Sequence, residues 1–315
     1  MPSNHPPVAN AVSVAPRTQD LTDLLCQPGL RERAGAVAGL AVTIGVLACV
    51  AAAFGRLHVA ELFANLPTTA GFWALLAAAY LLAPMLEWII LQRLWQLGAA
   101  GFVPLLRKQV ANELLLGYSG DAQFYLRART AMPAQAAPFA TLRDMSILSA
   151  LAGNLATLVL MVLAYPTLSH LASGPLLHGA VLATLVIVVS SLGIFAARRA
   201  LFDFSLSRRA IAGVFLGHMG RIVAMLVLSA CLWAALIPGA TLGTLLVLGT
   251  MRMMLSRVPL IPGKDALFAG GALALMGSDM KIAGALATIA ALMIGLHALV
   301  GLVTGVDDVL RQHRR

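Results

Sequence analysis

Ten residues in the C-terminal half, Ser256–Asp265 (SRVPLIPGKD), set Arg257, Lys264 and Asp265 beside two prolines and a glycine within a strongly apolar stretch. Pro259 and Pro262 each remove a backbone donor, and Gly263 permits a tight reversal. A helix beginning at Lys264–Asp265 would turn its free N–H groups toward an anion. Cationic side chains beside it would hold a phosphate by charge-assisted hydrogen bonds. A second interruption, GYSGD (Gly117–Asp121), offers similar chemistry, with the acid Asp121 followed by Arg127 and Arg129. Arg221 stands inside the apolar run Val214–Ile237, too deep to reach the interface easily, and an ionisable residue in such a place marks a functional site by default. Asp265 or Glu87 would be its partner. Asp121, Arg127, Arg129, Arg221, Arg257, Lys264 and Asp265 therefore form the candidate anion-binding set, with Glu87, Asn112, Arg143, Asp144 and Asn154 as a supporting polar network.

Those residues need a scaffold, and composition names its solvent. The chain of 315 residues is 60 % hydrophobic, with only 11 % charged residues and a mean hydropathy of +0.87. Soluble domains carry about 25 % charged residues, so this chain cannot cover a globular surface with polar groups. Lipid is its natural surrounding. Three cysteines (Cys26, Cys49 and Cys231) show neither pairing pattern nor CxxC spacing, which supports no disulfide framework and no zinc site. His218 and His297 lack metal-ligand spacing and read as structural. No metal and no cofactor are expected.

A spanning helix needs about 20 mostly apolar residues. Gly35–Gly55, Phe72–Leu91, Ile147–Tyr165, Leu176–Ala197, Val214–Ile237 and Ile282–Thr304 meet that requirement. Cytoplasmic connections collect Lys and Arg. Here basic residues cluster in the N-terminal tail, between Arg93 and Arg143, between Arg198 and Arg209, and at the C-terminus. The facing connections 56–67, 166–175 and 238–241 hold Arg56 alone. Both termini are expected in the cytoplasm, and the net charge of +9 is topology rather than a nucleic-acid footprint. The organisation read from this is a disordered cytoplasmic tail over 1–34, a membrane domain over 35–305 and a basic cytoplasmic C-terminus over 306–315.

Two stretches break the simple pattern. Leu242–Gly277 holds two apolar halves on either side of the decapeptide, about ten and about twelve residues long. At 1.5 Å per residue each spans only about 15–18 Å, against a hydrocarbon core of about 30 Å. Phe102–Arg129 has an amphipathic first half and breaks at GYSGD. The fold expected is thus an all-α polytopic membrane protein with six full transmembrane helices and two interrupted re-entrant hairpins; eight full spans is the alternative. Irregular backbone at membrane depth survives only against protein or a wet cavity. Each of Arg257, Lys264 and Asp265 would cost about 2.5–3.5 kcal/mol at the bilayer centre. They should face a cavity or each other.

The same broken segments carry a likeness. Asn112 leading into GYSGD, Arg127, the Arg143–Asp144 pair opening the next span, and Arg257 ahead of Pro259–x–x–Pro262–Gly263 together resemble the lysylphosphatidylglycerol synthase transmembrane family. That family comprises the flippase-like membrane domain of a lipid-modifying synthase and its stand-alone relatives. The likeness covers roughly residues 35–305. Lys264 stands where the family's second glycine would follow the proline, Asp265 is the nearest acid to the family's acidic position near Ala269, and Arg143–Asp144 runs in reversed order. The resemblance implies a stand-alone member without the aminoacyl-transferase domain.

The resulting expectation is a multipass protein of the bacterial inner membrane that binds or translocates an anionic or phosphate-bearing lipid and is not itself an enzyme. Its partner is a membrane lipid, with a lipid-biosynthetic enzyme as a further partner and no nucleic acid. No ATPase motif is present. A membrane enzyme acting on a polyprenyl-phosphate-linked substrate and a non-catalytic membrane scaffold are the alternatives; the short outer connections argue against the first.

Overall fold

The computed structural model describes residues 66–115, 118–131, 138–171, 175–197, 204–237, 239–257, 264, 268–269, 272 and 280–312. All of them belong to the unit Val42–Arg315. The expected first span, the N-terminal tail, Gly117, Pro259, Pro262, Gly263 and Asp265 lie outside the described residues.

Among the described residues all regular structure is helical. The α-helices are α1 (Ala70–Trp95), α2 (Phe102–Leu114), α3 (Ser119–Ala131), α4 (Pro138–Leu171), α5 (Pro175–Ala197), α6 (Arg208–Leu236), α7 (Leu242–Ser256) and α8 (Met280–Gln312). Four of them, α1, α4, α6 and α8, are long and apolar enough to cross a membrane. Their lengths follow from uninterrupted apolar sequence, and their ends from local chemistry. Thr69 precedes α1 in an extended conformation, and α1 stops where Gln96 turns left-handed. Ser207 caps α6 by accepting from the Ala210 N–H, and Thr241 caps α7 by accepting from Thr244, each satisfying a donor that the first turn leaves free.

These helices extend past the apolar runs because polar residues continue them. Hydropathy starts the fifth run at Val214, whereas α6 begins at Arg208; Arg221 therefore sits near mid-helix. Likewise α7 continues through Arg252 to Ser256, longer than its first ten apolar residues suggest.

α6 packs along both α1 and α4, α7 lies on α4, and α2 pairs with α3 and with α8. Phe72, Leu76, Trp233, Leu248 and Ile289 form the heart of one apolar cluster linking α1, α6, α7 and α8. A second, including Leu91, Leu105, Phe124, Leu148 and Val214, joins α1, α2, α3, α4 and α6. Large apolar side chains also face outward, as Val162 and Leu163 on α4 and Leu216 and Val227 on α6 do. That pattern suits a lipid-facing surface.

Candidate functional site

The α2–α3 hairpin is built by Asn112. Its side-chain oxygen accepts from the Gly120 N–H at 2.8 Å, and its amide donates to Asp121 Oδ2 at 2.7 Å. Ser119 Oγ donates to the Ala111 carbonyl at 2.8 Å, adding a second bond to an acceptor that already takes the Leu115 N–H at the end of α2. Tyr118, in the break, has a left-handed backbone with φ of 75°. Gly120 is required by proximity, since a Cβ there would run into the Lys108 carbonyl oxygen.

This close crossing delivers Asp121 to Lys108, at 2.8 Å. From the other side Glu87 of α1 also pairs with Lys108. One ammonium thus bridges two carboxylates on three helices, with Lys108 only 12 % exposed. Burial works against its charge, and the two flanking carboxylates favour it.

Pro84 shapes the same wall. A proline inside a helix has no N–H for the carbonyl four residues earlier, which here is Tyr80. The Gln109 side-chain amide donates to that carbonyl at 3.1 Å. With its nitrogen so engaged, Gln109 Oε1 is left buried and without a partner.

The opposite wall comes from α4, α6 and the end of α7. Arg221 donates through Nη2 to Ser149 Oγ at 3.2 Å, and its Nε is buried without a partner. His218, one turn earlier on α6 and 7 % exposed, has both ring nitrogens buried and unpartnered. Arg257, the C-cap of α7, donates to Asn154 Oδ1 at 3.3 Å and to Ser256 Oγ at 2.8 Å. Gly153 leaves the space that this guanidinium occupies.

Between these walls lies a cavity of about 450 Å³. Lys108, His218, Arg221, Arg257 and Lys264 all line it. Among the described residues, Arg221, Arg257 and Lys264 have no carboxylate within ion-pair distance, while Lys108 has two.

Four of the expected anion-binding residues therefore come together: Asp121, Arg221, Arg257 and Lys264. Glu87, Asn112 and Asn154 join them around the cavity. Arg127 and Arg129 continue along α3 away from it, and Arg129 is exposed. Asp144, fully buried, accepts from both the N–H and the hydroxyl of Ser205 at 2.7 Å and from Arg143 at 2.8 Å. That pair ties α4 to the segment entering α6 and does not line the cavity. Arg221 was expected to meet Glu87 or Asp265: it donates to Ser149, Glu87 holds Lys108, and Asp265 lies outside the described residues.

Lys108, Gln109, Ser149 and His218 are absent from the expected set. Lys108 and Asn112 lie four residues apart on one face of α2, directly before the break that carries Asp121, and that spacing is the signal pointing to them. Charge counting treats Lys108 as one more mark of the cytoplasmic side. Ser149 and His218 carry no comparable signal. Among the described residues no group of three or more His, Cys, Asp or Glu side chains is placed to hold a metal ion. No family model matches this sequence, and comparison with curated proteins and with solved structures finds no match.

Proposed function

We propose that the protein binds the anionic or phosphate-bearing head group of a membrane lipid in this cavity and carries it across the bilayer. One observation carries the reading: three cations with no carboxylate partner among the described residues converge on one cavity, and one of them, Arg221, has an orphaned buried Nε. Burying a charge is costly unless it is paired. An anionic head group would supply the missing charge, while its acyl chains stay among the outward-facing apolar helices.

The lengths of the short helices support a membrane topology to match. α2 and α3 have 13 residues each, about 20 Å at 1.5 Å per residue, and α7 with 15 residues is also short of a core of about 30 Å. In this reading the α2–α3 hairpin and the segment beginning with α7 are re-entrant, both termini are cytoplasmic, and the membrane is the inner membrane of a bacterium. The Asn112–Asp121 turn and Arg257 are among the features by which the sequence resembles the lysylphosphatidylglycerol synthase transmembrane family, and that resemblance supports a flippase-like role.

Reconstitution into proteoliposomes with a head-group-labelled anionic lipid tests the proposal. A membrane-impermeant quencher should reach lipid from both leaflets when the protein is present and from the outer leaflet alone when it is absent. Equal quenching with and without protein would contradict translocation.

A further inference from the structure

The unpartnered atoms in the cavity are not all of one kind. Arg221 Nε is a donor and Gln109 Oε1 is an acceptor, whereas His218 offers both. Beside the Arg221 guanidinium, and with no hydrogen-bond partner of its own, the buried imidazole is neutral. One of its nitrogens then donates and the other accepts. The assignment of Gln109 is fixed by Pro84: because its amide nitrogen serves the Tyr80 carbonyl, its oxygen must be the free end. Buried polar groups are rarely left unsatisfied. An ionised phosphodiester without hydroxyls, which only accepts, would satisfy Arg221 and the imidazole donor but leave Gln109 Oε1 and the other imidazole nitrogen without donors.

An ammonium could donate to those acceptors, but the charges do not favour one. Glu87 and Asp121 already hold Lys108, Glu113 has an interaction of its own, and among the described residues the cations lining the cavity without a carboxylate are Arg221, Arg257 and Lys264. A hydroxyl both donates and accepts and adds no charge.

We propose, resting on the head-group reading above, that this cavity selects a phosphate ester carrying free hydroxyls, with Arg221 on the phosphate and His218 and Gln109 on the hydroxyls. His218 is thereby a specificity-determining residue, and head groups without hydroxyls are the disfavoured class.

The test compares two lipids of equal charge: phosphatidylglycerol, whose head group has hydroxyls, and phosphatidylethanol, whose head group has none. Each is titrated against the full-length detergent-solubilised protein. Leaving buried polar groups unpaired should weaken phosphatidylethanol binding by about five- to a hundredfold. His218→Leu should bring the two affinities together, and His218→Gln, which keeps a donor and an acceptor, should restore part of the difference. Should His218→Leu fail to fold, the wild-type ratio and His218→Gln decide the matter. Equal wild-type affinities would overturn the hydroxyl inference while leaving the anion site standing. A preference that survives in His218→Leu would overturn the role of His218. Binding of neither lipid would overturn the underlying head-group reading. Soluble glycerol 3-phosphate separates the sources: affinity equal to the lipid's would support a hydroxylated phosphate site but overturn a lipid as its ligand.

Discussion

The Arg257 guanidinium occupies the place where a side chain at residue 153 would be, because Gly153 presents bare α4 backbone to it. Asn154, the next residue, accepts from the same guanidinium at 3.3 Å. Two consecutive positions on α4 thus seat one arginine at the rim of the cavity.

Gly153→Ala should therefore act through Arg257. The group in the way is the far end of a flexible side chain, so the arginine moves and the helices stay packed. Lipid affinity should fall about tenfold, since a hydrogen bond to a charged group contributes about 1.5–3 kcal/mol, with the melting temperature nearly unchanged. Unaltered binding would remove Arg257 from the site. Titration beside a thermal melt reads both.

Gly120→Ala should behave differently. Its Cβ would meet a backbone oxygen, that of Lys108, which cannot swing aside. Overpacking of this kind costs about 1–3 kcal/mol, so the variant should melt earlier and loosen the α2–α3 crossing. Gly179→Ala, with open space around it, is the neutral control.

Lys108→Met removes the charge between Glu87 and Asp121 and leaves two carboxylates facing each other. Breaking a buried pair costs about 3–5 kcal/mol; Asp121 is 30 % exposed, which places the loss toward the lower end. The triple variant Lys108→Met, Glu87→Gln, Asp121→Asn should recover most of it. Denaturation of the purified variants checks this, and a triple variant as unstable as Lys108→Met would show that the bridge is not what holds these helices.

Orientation follows from charge. Reporter fusions after Arg209 and after Arg315 should score cytoplasmic, and one after Ser173 should score periplasmic. An external signal at either of the first two would contradict the positive-inside argument.

The spanning helices were legible because a bilayer imposes one length on every segment that crosses it. The run Phe72–Leu91 announces α1, and Ile147–Tyr165 announces α4, although polar ends such as Arg93 and Arg208 extend helices beyond what hydropathy counts. The interruption at GYSGD was legible as well, since Gly and polar residues punctuate an amphipathic pattern. Partnerships were not. Arg221 finds Ser149 from 72 residues away, and Lys108 finds Glu87 from 21, distances over which composition and periodicity carry no information. The Tyr80–Gln109 bond could have been sought: a proline inside a helix announces an orphaned carbonyl four residues earlier, though not the residue that satisfies it.

The central claim is that Arg221 serves an anionic head group and not merely Ser149. Its most direct test is equilibrium lipid binding, by native mass spectrometry, for the wild type and Arg221→Gln, with phosphatidylglycerol and phosphatidylcholine and a melt on each sample. The wild type should prefer the anionic lipid. Arg221→Gln should stay folded and lose that binding about ten- to a hundredfold, the equivalent of a charge-assisted hydrogen bond. Undiminished phosphatidylglycerol binding by a folded Arg221→Gln variant, or no preference over phosphatidylcholine in the wild type, would contradict the account.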